Sequence, residues 1–244
     1  MEKTTGPDCV CLIPARSGSK GLPKKNLVKL CGQALISWTI HQALAADIGH
    51  LVVATDGPDI AHMAESCGVV AYDEPEALAS DDASLESVMA WFLGQCRERS
   101  VKMPDWLMVL QPTSPLRLST HIRELWAVAK SGAFDSVFSA VQSAHCSWRY
   151  QGTNLLAEWP QDLKAKTRQR MLRQQAGRQV TENGAIYLVR THRFLEEETR
   201  FCGRLYAYEM PLWTAWEIDG PEELAIVEMI MRARLQLGSD GVRT

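Results

Sequence analysis

Three short stretches carry the residue types that chemistry on an anion needs. The first, IPARSGSKGLPKKN (residues 13–26), sets glycines and other small residues around Arg16, Lys20, Lys24 and Lys25. Backbone amides unscreened by large side chains, with fixed positive charge beside them, suit phosphate oxygens. The stretch has neither the Gly-Lys-Ser/Thr ending of a Walker A loop nor a GxGxxG pattern. A plain basic surface loop is the competing reading. The second stretch, QPTSPLR (111–117), places Gln111, Thr113, Ser114 and Arg117 around two prolines that stiffen the backbone and remove donors. It is either a structural turn or a rigid platform for a polar ligand. The third, WEIDGPEEL (216–224), separates Glu217 and Asp219 by two residues, which puts both on one face of an extended segment. Two carboxylates opposite a basic phosphate loop would suit magnesium on a polyphosphate. The alternative is an ordinary helix entry, with Asp219 near the cap and Glu222 and Glu223 in the first turn.

Two other stretches have residues of interest. Lys164, Lys166, Arg168, Arg170, Arg173 and Arg178 lie in a run without an acid. Such a run is usually a solvated face; the other readings are RNA contact, without interleaved aromatics to stack bases, or an anionic small substrate met by the arginine fork. In TENGAIYL (181–188), Glu182 and Asn183 precede Gly184 and an apolar run, which reads as turn chemistry starting a strand.

Position gives the first loop its weight. It follows CVCLIP (9–14), an apolar run that reads as a buried strand. Further strands are expected at 51–55, 69–72, 106–111, 135–141, 184–189 and 204–210. Helical patterns cover 34–46, 58–68, 83–99, 119–131 and 221–238, the second and last of these opening on proline and closing on glycine. Strand–helix alternation with nearly continuous apolar strands implies an α/β fold, a mostly parallel sheet covered on both faces. Ligands of such sheets sit beyond the carboxyl ends of the strands, where the first loop falls. Residues 142–181 are polar and basic and break the alternation, as an excursion from the core or a long surface loop would.

Length and composition set the outer bounds. The 244 residues suit one domain, 46% hydrophobic and 23% charged, with a net charge of -3 that argues against a dedicated nucleic-acid binder. No apolar run approaches the roughly 20 residues of a membrane span, and MEKTTGPD lacks the apolar core of a signal peptide. The seven scattered cysteines include no CxxC and read as reduced thiols of a cytoplasmic protein. From the residues alone, then, this is an α/β enzyme handling a phosphate-bearing substrate.

IPARSGSKGLPKKN, ATDGPDIAHMAESCGV, LASDDAS, LQPTSPLR, DSVFSAV, ENGAIYL and EIDGPEEL, in this order, resemble the acylneuraminate cytidylyltransferases, from about residue 9 to about residue 230. The resemblance implies a Rossmann-like nucleotide-diphospho-sugar transferase fold, a single domain with residues 142–181 as a dimerisation and substrate arm, and a homodimer. It implies a reaction in which the anomeric hydroxyl of a sialic-type (nonulosonic) acid attacks the α-phosphorus of CTP, with Mg2+ as cofactor. N-acetylneuraminic acid is the first expectation; KDN, legionaminic acid, pseudaminic acid and KDO are alternatives, and a non-catalytic nucleotide-binding homologue is an alternative of another class.

Residue by residue, Arg16 and Lys25 match phosphate-contacting positions, Ser19 and Lys20 lie in the same loop, Asn26 matches a nucleotide-binding asparagine, and Ser84 falls near a cytidine contact. Gln111 matches a sugar-acid position, and Arg170 and Arg173 are candidates for the arginines that meet the sugar acid. Asp219 matches the principal magnesium carboxylate, with Glu217 where the family often has a second aspartate. Arg16, Lys25, Arg173 and Asp219 are thereby the expected catalytic set. Two positions depart from the pattern. Glu74 stands near where many members carry an arginine, and Thr181 and Glu182 replace an Arg-Pro or similar pair before Asn183.

Overall fold

The computed structural model describes residues 8–80, 82–143, 147–151, 154–158 and 179–239. Its centre is a seven-stranded sheet. In chain order the strands are β1 (Cys9–Pro14), β4 (His50–Thr55), β5 (Val70–Asp73), β6 (Trp106–Leu110), β7 (Ser136–Ser143), β10 (Gln179–Arg190) and β11 (Leu205–Met210). They lie side by side as β11-β7-β10-β6-β1-β4-β5. The short strands β2 (Lys29–Leu30) and β3 (Gln33–Ala34) pair with each other, as do β8 (Ser147–Gln151) and β9 (Asn154–Glu158). β1, β4, β5 and β6 are mutually parallel, and β11 is parallel to β7. β10 alone is reversed, antiparallel to both β6 and β7. The sheet is therefore mixed but mostly parallel.

Among the described residues there are six α-helices, α1 (Leu35–Ala46), α2 (Pro58–Ser66), α3 (Leu85–Glu98), α4 (Ser119–Lys130), α5 (Thr191–Glu197) and α6 (Pro221–Ser239), and the first five cover the sheet. Alternation along β1 shows how. Cys9, Cys11 and Ile13 pack with Ile36 and Ile40 of α1, Ile60 of α2, and Ile122 and Leu125 of α4. Val10 and Leu12 point the other way, to Val88, Met89, Phe92 and Leu93 of α3 and Phe194 of α5. A strand buried on both faces needs apolar residues at every position, which is why CVCLIP and WLMVL read as unbroken runs. α6 packs elsewhere, its Val227 and Met231 with Leu30, Leu35, Leu116 and Ile218. Among the described residues no helix is long and apolar enough to cross a membrane.

The reversal of β10 decides which of its ends borders the loops beyond the parallel strands. Ile186 lies opposite Leu110, the last residue of β6, so the amino-terminal part of β10 reaches the carboxyl edge of the parallel strands. β10 also starts five residues before the apolar run at 184–189. Its polar beginning is held by the far end of β7, Gln179 opposite Ser143. The two ends of the 142–181 stretch are thus closed together, with the β8–β9 hairpin between them in sequence.

Candidate active site

Four segments meet at the carboxyl edge: the loop after β1, the turns after β4 and β6, and the segment before α6. The loop after β1 is fastened from two sides. Asp56, just beyond β4, accepts hydrogen bonds from the Ser17 amide (2.6 Å) and the Ser17 hydroxyl (2.7 Å). The buried Asn26 donates its amide to the Arg16 carbonyl at 2.8 Å. Arg16 itself is half-buried, with one guanidinium nitrogen 3.5 Å from the Ala79 carbonyl. Lys24 takes a left-handed backbone at φ 51 to end the loop, and Lys25 opens a 3-10 turn, Lys25–Leu27. Two tethers and one sharp bend give a basic loop a fixed shape, which a solvated surface loop does not need.

The acid pair comes to this loop through β6. The Ile218 amide donates to the Thr113 carbonyl at 2.8 Å, with Ile218 fully buried between the two acids. Asp219 then turns out to solvent and pairs with Lys25, Nζ to Oδ1 3.1 Å. The loop touches the same residue with its backbone: a Cβ on Gly21 would lie 2.1 Å from the Asp219 carbonyl oxygen. Glu217 lies over Gly184, whose φ is 63 and whose absent Cβ would meet the Glu217 carboxylate at 2.1 Å. Burial raises the Glu217 carboxyl, Asp219 adds to the rise, and Lys25 opposes it.

The platform at the end of β6 is built on one buried cation. Arg117 is wholly buried and donates to the carbonyls of Gln111 (2.7 Å), Ser114 (3.1 Å) and Ala185 (3.1 Å), and to the Thr39 hydroxyl. Burial pushes its guanidinium down to about 9, still charged at pH 7. Arg117 therefore does not face a ligand, as one reading of QPTSPLR would have it. It ties the proline turn to β10, with Gln111 half-buried at the strand end. Ser114 donates to the Asn183 carbonyl at 3.1 Å, and the Asn183 amide to the carbonyl and hydroxyl of Thr214 (3.2 and 3.1 Å). The ENG stretch is thus more than turn chemistry: it joins β6, β10 and the segment before the acids. Glu182 accepts from the Tyr187 hydroxyl at 2.9 Å.

Arg16, Lys25, Asn26, Gln111, Glu217 and Asp219 fall on these adjoining segments. Ser19 is half-buried and Lys20 exposed in the loop. Ser84 has a structural duty, capping α3 by accepting from the Ser87 amide at 3.1 Å. Arg170 and Arg173 lie outside the described residues. Two residues gain a role that was not read from the sequence. Asp56 could have been found, since it sits at a strand's carboxyl end as the first loop does. Glu74, noted only as a departure, is 4% exposed beside this loop; burial of a lone acid leaves no mark in sequence.

A mostly parallel sheet with a tethered basic loop and an acid pair at its carboxyl edge defines an α/β protein whose loop has the charge and amides that suit a phosphate. The family model described as "Cytidylyltransferase" matches residues 10–200, and the chain belongs to that family. It is 31% identical over 209 residues to N-acylneuraminate cytidylyltransferase B of Danio rerio, covering 85% of this chain and 48% of that protein. It is 28% identical over 230 residues to post-translational flagellin modification protein B of Campylobacter coli, covering 93% of this chain and 96% of that one. The chain spans about half the length of the N-acylneuraminate cytidylyltransferases it matches. In structure it is similar to a CMP:2-keto-3-deoxy-manno-octonic acid synthetase complexed with CTP, with a TM-score of 0.64, 17% identity, and 93% and 99% of the two chains covered. At that identity the likeness speaks for the fold.

Proposed function

We propose that this chain transfers CMP from CTP to the anomeric hydroxyl of a sialic-type acid, N-acetylneuraminic acid first, and releases pyrophosphate. The observation that carries the reading is the meeting of the basic loop with Asp219 through Lys25 and Gly21. Arg16, Lys25 and the loop amides bind and orient the triphosphate, with Ser19 and Lys20 beside them. Ser84 and Asn26 border the nucleoside side, Asn26 by shaping the loop. Gln111 stands on its rigid turn to meet the sugar acid. Arg170 and Arg173 are the candidates for its carboxylate, as a bidentate fork would require. Positioning the hydroxyl in line with the α-phosphorus supplies most of the catalysis, and fixed cations stabilise the charge that builds on the phosphoryl oxygens.

The acid pair fits magnesium. Asp219 offers an exposed carboxylate with Glu217 on the same segment. Among the described residues no three His, Cys, Asp or Glu side chains converge, so the remaining ligands would be phosphate oxygens and water, as Mg2+ favours. Bound there, the ion would be held by Asp219 and Glu217 and would neutralise charge on the phosphates. A homodimer, with residues 142–181 reaching the partner's site, and a cytoplasmic location complete the proposal.

A second reading keeps the chemistry and changes the acid to legionaminic or pseudaminic acid. It is favoured by the relative of matching length, which is named for flagellin modification rather than for an N-acylneuraminate. The experiment is pyrophosphate release from CTP and magnesium with N-acetylneuraminic acid, KDN, legionaminic acid, pseudaminic acid and KDO. Turnover with one acid names the substrate. CTP binding without turnover on any of them would favour a non-catalytic nucleotide binder.

A further inference from the structure

Glu74 has no part in the proposed transfer, yet it is buried beside the residue that opens the phosphate loop. It follows β5 at the carboxyl edge, its amide donating to the Thr55 carbonyl at 2.9 Å, one residue before Asp56. Two charged groups face it: Arg16 from the loop after β1, and Asp56 from the turn after β4. Asp56 is held on Ser17 by two short hydrogen bonds, so its carboxylate is fixed in place. The packing is close, since a Cβ on Gly57 would lie 2.9 Å from the Ser17 Cβ. The Arg16 guanidinium reaches the same corner, one nitrogen 3.5 Å from the carbonyl of Ala79, whose amide closes the turn after Glu74 on the Pro75 carbonyl at 3.3 Å. Burial and Asp56 push the Glu74 carboxyl up, Arg16 pulls it down, and the balance stands at about 7.

We propose that Glu74 is a proton-linked positioning residue for Arg16: the Arg16 charge sustains its carboxylate in the free site, and a triphosphate that engages Arg16 returns it to the neutral acid. The inference rests on the reading that this loop binds a nucleoside triphosphate. The direction follows from charge. A polyanion neutralises Arg16 and adds negative charge beside Glu74, so binding raises the carboxyl's affinity for its proton. CTP binding therefore takes up a proton at neutral pH. Affinity weakens as pH rises from the free-state midpoint to the higher bound-state midpoint, by up to about tenfold per pH unit, and is flat beyond both. An arginine at this place would add charge for the phosphates at every pH; a buried glutamate makes binding depend on pH instead.

The test is an NMR titration of carboxyl-labelled glutamates in the full chain. Burial raises Glu217 too, so Glu74→Gln identifies the Glu74 resonance by its loss. Should that variant not fold, Glu217→Gln identifies it by elimination. A midpoint near 7 is expected, higher in Arg16→Gln and higher again in wild-type protein saturated with CTP. Calorimetry in two buffers of different ionisation enthalpy should show proton uptake at pH 7.5, reduced in Glu74→Gln to what the nucleotide's own phosphate contributes. A Glu74 midpoint in the ordinary carboxylate range, or one that CTP binds without moving, overturns the proposal. Absence of CTP binding would sink the triphosphate reading, and the Arg16→Gln titration, which needs no ligand, still decides whether Arg16 governs the Glu74 proton.

Discussion

Lys25 Nζ lies 3.1 Å from Asp219 Oδ1, and the two partners are unequally sheltered: the lysine side chain is 16% exposed and the aspartate 79%. The cation is held in place while the carboxylate stays open to an incoming group. An ion pair with one partner so exposed contributes at most about 1 kcal/mol to folding. Asp219→Asn should therefore leave the melting temperature nearly unchanged while lowering pyrophosphate release by roughly 100-fold, the scale of losing one preorganised charge at a transition state. Thermal unfolding and turnover at limiting magnesium measure the two effects, and near-normal turnover would remove Asp219 from the site.

Arg117 should behave in the opposite way. Its bonds to the Ser114 and Ala185 carbonyls and to Thr39 are buried, and that to the Gln111 carbonyl is partly so; each buried acceptor left unpaired costs about 1–3 kcal/mol. Arg117→Met should lower the unfolding free energy by on the order of 3–5 kcal/mol, read from a urea transition. Arg117→Lys keeps the charge but a compact ammonium cannot fork to three carbonyls, so an intermediate loss is expected. Equal stability of both variants with the wild type would show that the proline turn stands without its anchor.

These two residues also mark how far the sequence could be read. The loop after β1 and the 216–224 segment were legible because small residues, prolines and paired acids follow known local rules. Pro58 and Pro221 do open their helices. Gly238 does not stop α6, which runs to Ser239; glycine permits a helix end without compelling one. The direction of β10 was not legible, because an apolar run looks the same in a parallel or an antiparallel strand. Nor was α5, only seven residues long and too short for a periodic pattern. Arg117 and Glu74 were visible as charges, but whether a charge is buried depends on strands distant in sequence.

Acid should loosen the far end of the sheet. Asp135 precedes β7 and accepts from the Arg204 amide at 2.9 Å, with Arg190 and Arg204 also on its carboxylate. The Arg204 amide first, and the Arg204, Arg193 and Arg190 charges after it, hold its carboxyl below the ordinary 3.8. A carboxyl depressed in the folded state stabilises fully above its unfolded value and loses that contribution as pH falls through the folded one. Asp135→Asn should thus be less stable than wild type at pH 7, and the gap should narrow as pH falls below about 3.8. Urea transitions at several pH values check this, and a gap constant with pH would mean that the charge on Asp135 contributes nothing.

The backbone approach between the loop and the acid segment offers the sharpest test. Gly21 faces the Asp219 carbonyl oxygen, a backbone atom that a Cβ would meet at 2.1 Å, whereas a Cβ on Gly18 would meet nothing within 4 Å. Both glycines belong to the same loop, so loop flexibility changes alike in Gly21→Ala and Gly18→Ala. Only Gly21→Ala must push the loop off the acid segment, and backbone cannot rotate aside as a side chain can. A shift of about 1 Å in reacting groups costs on the order of 100-fold in rate. Gly21→Ala should therefore lose most pyrophosphate release with CTP, and Gly18→Ala should retain it within a few-fold. If both variants fall equally, the loop needs its glycines for freedom and the contact with Asp219 is incidental. If both remain active, phosphate binding does not depend on holding the loop against the acid segment.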